Sequence, residues 1–270
     1  MNSQAEELEW QSVEPESGST LTATRVALHW AAQLPAAAGA TLVAARDDYS
    51  HTTLTWHRGP NALLTETLPT GQRAGIRPRD LALIVLQADG AIGSTYPLAG
   101  RTLEMGLTWL ATHLGTTNLE RPPHHLPSHG VERGEPFPEP DPRASAQLET
   151  WFSNADLVLR STTEAEEWSE VRVWPHHFDI ASLKDLGGGQ SVGAGLSPGD
   201  GSYDQPYFYV TPWPPPDDAP TSTLQEGGAW HTDGWTGAVL VANNVENAGQ
   251  EDQVRGFLKS AVDAATQLLS

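Results

Sequence analysis

The sequence contains no cysteine, and this absence excludes several kinds of chemistry at once. Disulfides, thiolate nucleophiles and cysteine-bound zinc all require the missing side chain. Basic residues are also scarce, because only 15 of the 270 residues are Lys or Arg and the formal net charge is −19. Proteins that bind nucleic acid need clustered cations, and anionic membrane surfaces would also repel this chain. We therefore expect neither nucleic acid nor a membrane as a partner, and the acidity favours solubility.

Long apolar runs are missing as well. No stretch of eighteen apolar residues is present, so we expect no transmembrane helix. Residues 1–7 are acidic and lack the apolar segment typical of a secretory signal. A cytoplasmic protein is the simplest interpretation of these features, and the composition does not predict an oligomeric state.

What the chain does contain is a repeated order of secondary-structure signals. Residues 1–19 are polar and rich in Glu, which predicts a flexible acidic N-terminus. Residues 20–115 and residues 144–270 each show a helical pattern, a group of strand patterns and a second helical pattern. Strands grouped between helices favour an α+β fold. We predict two similar halves, each built as helix, antiparallel strands and helix, packed as one compact unit.

The halves are joined by a proline-rich linker, residues 116–143, which contains the histidines His124, His125 and His129. Frequent prolines predict a stiff, extended segment. A histidine-rich tract can bind metal, but it is more often a solvated loop. The apolar residues Leu126, Val131 and Phe137 predict that the linker lies along the surface of both halves.

Two local patterns carry specific structural predictions. Apolar residues at helical spacing predict a first helix over residues 21–34, with Pro35 and Gly39 as the signals that end it. Asp89-Gly90 separates two apolar runs and predicts a β-hairpin with a type I′ turn, because both central positions of that turn need positive φ.

Candidate functional residues are densest in residues 174–213, within the second half. His177, Asp179 and Asp200 are the candidate catalytic residues. Without cysteine, imidazole and carboxylate are the ligands expected for Zn, Mn or Fe. In a strand His177 and Asp179 would share a face, and Asp200 or His231 would complete the site. His177, Asp179 and His231 therefore predict one divalent metal ion, whose bound water would act as the nucleophile of a hydrolase-like reaction.

Aromatic residues surround these candidates, and the chain contains ten tryptophans. Aromatic side chains on loops can stack on a sugar or another planar ligand. The candidate ligand-binding residues are Trp174, His176, Tyr207, Tyr209, Trp213, Trp230 and Trp235.

Three motifs of this region resemble a widespread family of bacterial domains of unknown function. They are Trp174-Pro175-His176-His177-Phe178-Asp179, Ser197-Pro198-Gly199-Asp200, and the aromatic stretch over residues 206–214. In the first half, Leu28-His29-Trp30 and residues 51–56 continue the resemblance. The resemblance supports the α+β expectation and implies no catalytic role for any residue.

Two interpretations from different classes follow. In the first, the protein binds a small molecule in a pocket of His, Asp and aromatic residues and is a metal-assisted enzyme. In the second, it is a non-catalytic ligand-binding or interaction protein, and its His and Asp side chains form a polar core. The interpretations differ on whether these side chains converge in one accessible pocket or bond separately.

Overall fold

The computed structural model of the protein describes residues 9–14, 18–163 and 167–270. Within these residues the chain forms four α-helices and two antiparallel sheets, which confirms the α+β prediction. The helices are α1 (Ser19–Leu42), α2 (Leu103–Leu114), α3 (Pro142–Thr162) and α4 (Gln250–Leu268). None of these helices has the length and apolar content needed to cross a bilayer.

The first sheet is a meander, in which neighbours along the chain pair side by side. Its strands are β1 (Thr55–His57), β2 (Ala62–Leu64), β3 (Arg73–Arg77), β4 (Ala82–Leu86) and β5 (Ile92–Pro97). The second sheet contains β6 (Arg172–Trp174), β7 (Asp179–Gly187), β8 (Gln190–Ser197), β9 (Tyr207–Trp213), β10 (Ala229–His231) and β11 (Gly237–Val241). Its spatial order is β10-β11-β9-β8-β7-β6.

The two sheets meet at their edges. Leu54, just before β1, pairs with Val173 of β6 through two backbone hydrogen bonds of 3.0 and 2.7 Å. The rings of Trp56 and Phe152 lie 6.5 Å apart, and those of Phe152 and Phe178 lie 5.2 Å apart, so one hydrophobic core runs across the junction. Each half has the order helix, strands and helix, while the similarity of the halves stays a prediction.

Helix α1 continues through Pro35 and Gly39 to Leu42, so the prediction that it ends at these residues is wrong. The residues on both sides of Pro35 are buried, and burial of this apolar segment outweighs the backbone hydrogen bond that proline removes. A Cβ atom at Gly39 would lie 2.4 Å from the carbonyl oxygen of His51. Glycine at this position therefore permits close packing against the 3-10 helix Ser50–Thr52.

The β4–β5 hairpin forms where Asp89-Gly90 predicts it, but the turn type differs. Gly90 has a φ of 83°, whereas Ala88 and Asp89 do not have positive φ. Gln87 accepts a hydrogen bond from Gly90 N–H and donates one to Ala91, both 2.9 Å long. A three-residue loop that ends in a left-handed glycine replaces the type I′ turn.

The linker contacts the rest of the protein at several points. Phe137 is buried and exchanges backbone hydrogen bonds of 2.9 and 2.8 Å with Gly100 and Arg101 of the first half. The indole of Trp30 donates to the carbonyl of Pro127 over 2.9 Å. The ring of His124 lies 5.6 Å from that of His176, so the linker also reaches the second half.

Of the N-terminal segment predicted to be flexible, residues 9–14 are described and hydrogen-bond to two helices, and residues 1–8 and 15–17 lie outside the described residues. Gln11 exchanges two hydrogen bonds, of 2.9 and 2.7 Å, between its backbone and the side chain of Asn154 on α3. Val13 does the same with Gln250 of α4, over 3.0 and 2.8 Å. These amide side chains anchor the segment to both helices.

Candidate ligand-binding pocket

A stripe of polar residues crosses the otherwise apolar helix α1. Arg25, His29 and Gln33 are spaced by four residues, so they lie on one face of the helix. All three are buried, with exposed fractions of 8%, 6% and 0%. His29 Nε2 and Gln33 Nε2 both donate to the carbonyl oxygen of Pro175, over 2.9 and 2.7 Å. Because a carbonyl only accepts, the proton of neutral His29 lies on Nε2, and Nδ1 keeps its lone pair.

Pro175 belongs to a turn over residues 175–178 that joins β6 to β7. Phe178 closes the turn with a φ of 58°, and its backbone N–H donates to Trp174 over 2.7 Å. Its ring stacks on His29 at 5.3 Å. His176 and His177 therefore lie in a turn and not in a strand, so the same-face argument for His177 and Asp179 is wrong.

The α1 stripe, the linker, the β6–β7 turn and the turn after β8 enclose a cavity of about 470 Å³. We call it the histidine pocket, and its polar lining includes Arg25, His29, His125, His176, His177 and Asp200. Two predicted catalytic residues, His177 and Asp200, thus line one pocket. Both halves and the linker contribute to it, whereas the sequence placed the site in the second half alone.

Arg25 is the only arginine that lines the histidine pocket among the described residues, and its buried Nη1 atom has no hydrogen-bond partner within them. Its Nη1 atom is buried against Gly199, where a Cβ atom would lie 2.1 Å from Nη1. Burial lowers the pKa of Arg25, and the charges of Asp200 and Asp204 oppose this effect. An arginine nevertheless stays charged in proteins, and a buried charge without a bonded partner is costly. Asp200, in the same lining, and Asp204 partly balance this charge through space.

The imidazoles beside Arg25 are held neutral. Burial lowers the pKa of His29 to about 4, against a raising effect of the hydrogen bond to Pro175. Burial, followed by the charge of His177, lowers the pKa of His176 to about 4. Neutral His176 offers one donor and one acceptor, whereas His29 already donates its proton to Pro175 and offers only the acceptor Nδ1. A base with this pKa is weak near neutral pH. These rings are suited to hydrogen bonding with a ligand.

The low pKa of His29 predicts a loss of stability in acid. In the unfolded chain His29 binds a proton below its pKa of 6.5, whereas in the folded protein it binds this proton only below about pH 4. The free energy of unfolding therefore falls as the pH decreases from 6.5 to about 4. The loss amounts to about 2–3 kcal/mol for this buried ring. Urea unfolding of the wild type and His29→Gln at several pH values measures it. The difference in unfolding free energy should shrink from pH 7 to 4, and parallel curves would refute the assignment.

Asp179 lies behind the pocket and not in its lining. Its carboxylate is buried at the start of β7 and accepts a short hydrogen bond from the hydroxyl of Tyr209, while Oδ1 has no partner among the described residues. Burial raises the pKa of Asp179, and burial together with this carboxylate raises that of Tyr209. The predicted catalytic residue Asp179 is thus part of the polar interior of the sheet.

Asp200 lines the pocket from the segment that joins β8 to β9. Its Oδ1 accepts hydrogen bonds from the backbone N–H groups of Ser202 and Tyr203, at 2.7 and 3.1 Å. Its Oδ2 accepts from the hydroxyl of Tyr207 at 2.6 Å. Both oxygens are engaged, so the carboxylate holds the turn in place.

The predicted metal ligands are not assembled. Both nitrogens of His231 are engaged, since Nδ1 accepts from the Tyr203 hydroxyl at 2.9 Å and Nε2 donates to the Asp233 carbonyl at 2.8 Å. Asp179 is bonded to Tyr209 as described. Within the described part of the chain, no group of three or more His, Cys, Asp or Glu side chains is arranged to hold a metal ion. The prediction that His177, Asp179 and His231 bind one metal ion is therefore corrected.

The predicted aromatic residues divide into three groups. Trp174 packs edge-on against His176 at 5.9 Å, beside the pocket. Tyr207 contacts Tyr209 and Trp235, at 6.2 and 6.3 Å, behind Asp200. Two others lie outside this cluster. Trp213 is 62% exposed at the far end of β9, and Trp230 is half-buried and donates to the carbonyl of Ser222.

No protein family, curated protein or solved structure matches the chain in the comparisons with known proteins. The function is therefore inferred from the geometry of the pocket. The resemblance to a bacterial family and the cytoplasmic location stay predictions.

The sequence-based candidates missed Arg25, His29, Gln33 and His125. The available signal was the four-residue spacing of polar residues within an apolar helix. No local pattern indicates that the linker carries His125 to the same pocket.

Proposed function

We propose that the protein binds a small anionic molecule in the histidine pocket, where Arg25 pairs with a carboxylate or phosphate group. The observation that carries the proposal is the buried guanidinium of Arg25, whose Nη1 makes no hydrogen bond among the described residues. Guanidinium groups form their strongest bonds, often two in parallel, with these anions. A bound anion would compensate the buried charge.

The rest of the pocket suits a planar molecule. The cavity volume of about 470 Å³ lies within the range of pockets for small ligands. The partly exposed imidazole of His176 provides a ring face with one donor and one acceptor, and Nδ1 of His29 adds a second acceptor for polar atoms of the ligand.

The proposal assigns binding and no reaction. The imidazoles of His29 and His176 are weak bases near neutral pH, and both oxygens of Asp200 already accept hydrogen bonds. Metal-assisted hydrolysis is not part of the proposal, because the predicted ligand set is not assembled among the described residues. The non-catalytic interpretation of the sequence agrees better with this geometry.

The test is a thermal-shift panel of aromatic carboxylates and phosphate monoesters, each paired with its uncharged amide or alcohol. Anionic members should raise the melting temperature of the wild type, and their uncharged counterparts should not. Arg25→Met should weaken binding at least about tenfold, because a charged hydrogen bond contributes about 1.5–3 kcal/mol. Arg25→Lys, which keeps the charge, should retain part of the affinity.

The matched control is Arg133→Met, since Arg133 lies in the linker with its side chain 65% exposed and should not affect binding. Equal shifts from charged and uncharged members, unchanged affinity of Arg25→Met, or no response to any anionic member would each count against the proposal.

A further inference from the structure

A second and larger cavity, of about 1130 Å³, lies where the two sheets meet. Thr53 and Thr55 line it on one side of the Leu54–Val173 pairing, and Val171 and Arg172 line it on the other. We call it the arginine pocket, because its described lining includes Arg46, Arg73, Arg160 and Arg172.

The described lining of the arginine pocket carries more positive than negative side chains, unlike the chain as a whole. The described lining residues include four arginines but only two carboxylates, Glu66 and Glu170, in a protein with a net charge of −19. Glu66 pairs with Arg46 at 2.8 Å, and Glu170 pairs with Arg172 at 2.6 Å. The other two arginines have no carboxylate partner within that lining.

Arg73 and Arg160 differ from these two, because Arg73 has no carboxylate partner among the described residues and the partner of Arg160 lies outside the lining. Arg73 forms no ion pair with any described residue and donates to His57 Nε2 at 2.8 Å and to the Thr67 hydroxyl at 3.2 Å. Arg160 pairs with Asp156, which lies outside the lining, at 2.7 Å, and its side chain is half exposed. Among the described residues Arg73 is bonded only to neutral groups, so no carboxylate there pairs with its charge.

His57 reports the positive potential of this region. Because an arginine only donates, Nε2 of His57 carries no proton. Burial and then the charges of Arg73 and Arg160 lower the pKa of His57 to about 4. The charges of both arginines thus favour the neutral form of His57.

We propose that the arginine pocket binds a phosphorylated small molecule, with its phosphate held by Arg73 and Arg160. The hydroxyl of Thr67, which accepts from Arg73, lies beside these cations and offers its proton as a further donor, and phosphate accepts more hydrogen bonds than a carboxylate. Trp168, which is partly exposed in the lining, offers a ring face for the remainder of the molecule. A long polyanion such as nucleic acid does not fit, because the net charge of −19 repels it outside the pocket.

Isothermal titration calorimetry with inorganic pyrophosphate, at about neutral pH and near-physiological salt, tests this proposal. We expect saturable binding to the wild type, with Arg73→Met weakening it at least about tenfold. Arg73→Lys should keep part of the affinity. Arg133→Met should bind normally, because Arg133 lines neither pocket.

A second readout is the pKa of His57, followed by NMR. Pyrophosphate should raise it, because a bound anion offsets the charges of Arg73 and Arg160. Absence of saturable binding, unchanged affinity of Arg73→Met, or an unmoved His57 pKa would overturn the proposal. Citrate that binds as tightly as pyrophosphate would overturn the assignment to phosphate.

Discussion

Replacing Phe178 by alanine should lower the unfolding free energy by about 3–5 kcal/mol, the cost of removing a fully buried phenylalanine ring. Phe178 is only 1% exposed, and its ring packs between His29 at 5.3 Å and Phe152 at 5.2 Å. The ring therefore links the histidine pocket to the core between the two sheets. Its removal leaves a cavity between His29 and Phe152. Urea unfolding followed by circular dichroism measures the decrease in unfolding free energy.

Two further variants separate the ring from the backbone at this position. Phe178→Gly removes the same ring but relieves a φ of 58°, which costs a non-glycine residue about 1 kcal/mol, so it should lose less stability than Phe178→Ala. The control is Leu183→Ala, because Leu183 lies on β7 and is 49% exposed. This substitution should lower the unfolding free energy by less than about 1 kcal/mol. A cost for Phe178→Ala similar to that of Leu183→Ala would contradict this packing.

Gly39→Ala should destabilise the protein by about 1–3 kcal/mol or more, the usual cost of overpacking. Helix propensity alone predicts a gain of about 1 kcal/mol from this change. The added Cβ atom, however, would lie 2.4 Å from the carbonyl oxygen of His51, which is backbone and cannot rotate away. Either α1 or the 3-10 helix must shift, and this displaces the segment that leads to Leu54 and the second sheet.

Gly256→Ala is the matched control, because Gly256 also lies inside a helix, α4. Its added Cβ atom would meet the exposed side chain of Glu226, which can move away. The substitution should therefore be neutral or stabilise the protein by up to about 1 kcal/mol. If both alanine variants changed thermal stability equally, close packing at Gly39 would be disproved.

The sequence predicts those elements that local chemistry determines. Helix α3 begins at Pro142 with Asp141 as its cap, because a carboxylate accepts free N–H groups at a helix start. The apolar runs on either side of Asp89-Gly90 form a hairpin for a similar local reason. Pro35 misleads because its effect depends on burial in the folded protein. Strand β3 is not predicted, since Arg73–Arg77 is short and contains two arginines and a glycine.

The site is less predictable because it depends on contacts distant in sequence. The Pro175 carbonyl receives hydrogen bonds from His29 and Gln33, which lie more than 140 residues earlier. His176 and His177, which the density of His and Asp singled out, lie in the lining of the histidine pocket. That density gave no information about which nitrogens and oxygens are already bonded, and the metal prediction is wrong for that reason.

The central claim, that the histidine pocket binds an anion through Arg25, is tested most directly by NMR of the histidine side chains during titration with benzoate. We predict that the ring signals of His29, His176 and His177 shift with saturation, that the signal of His113 on α2 does not move, and that Arg25→Met abolishes the shifts. Saturating benzoate that leaves these pocket signals unchanged, or that moves them equally in Arg25→Met, would contradict the claim.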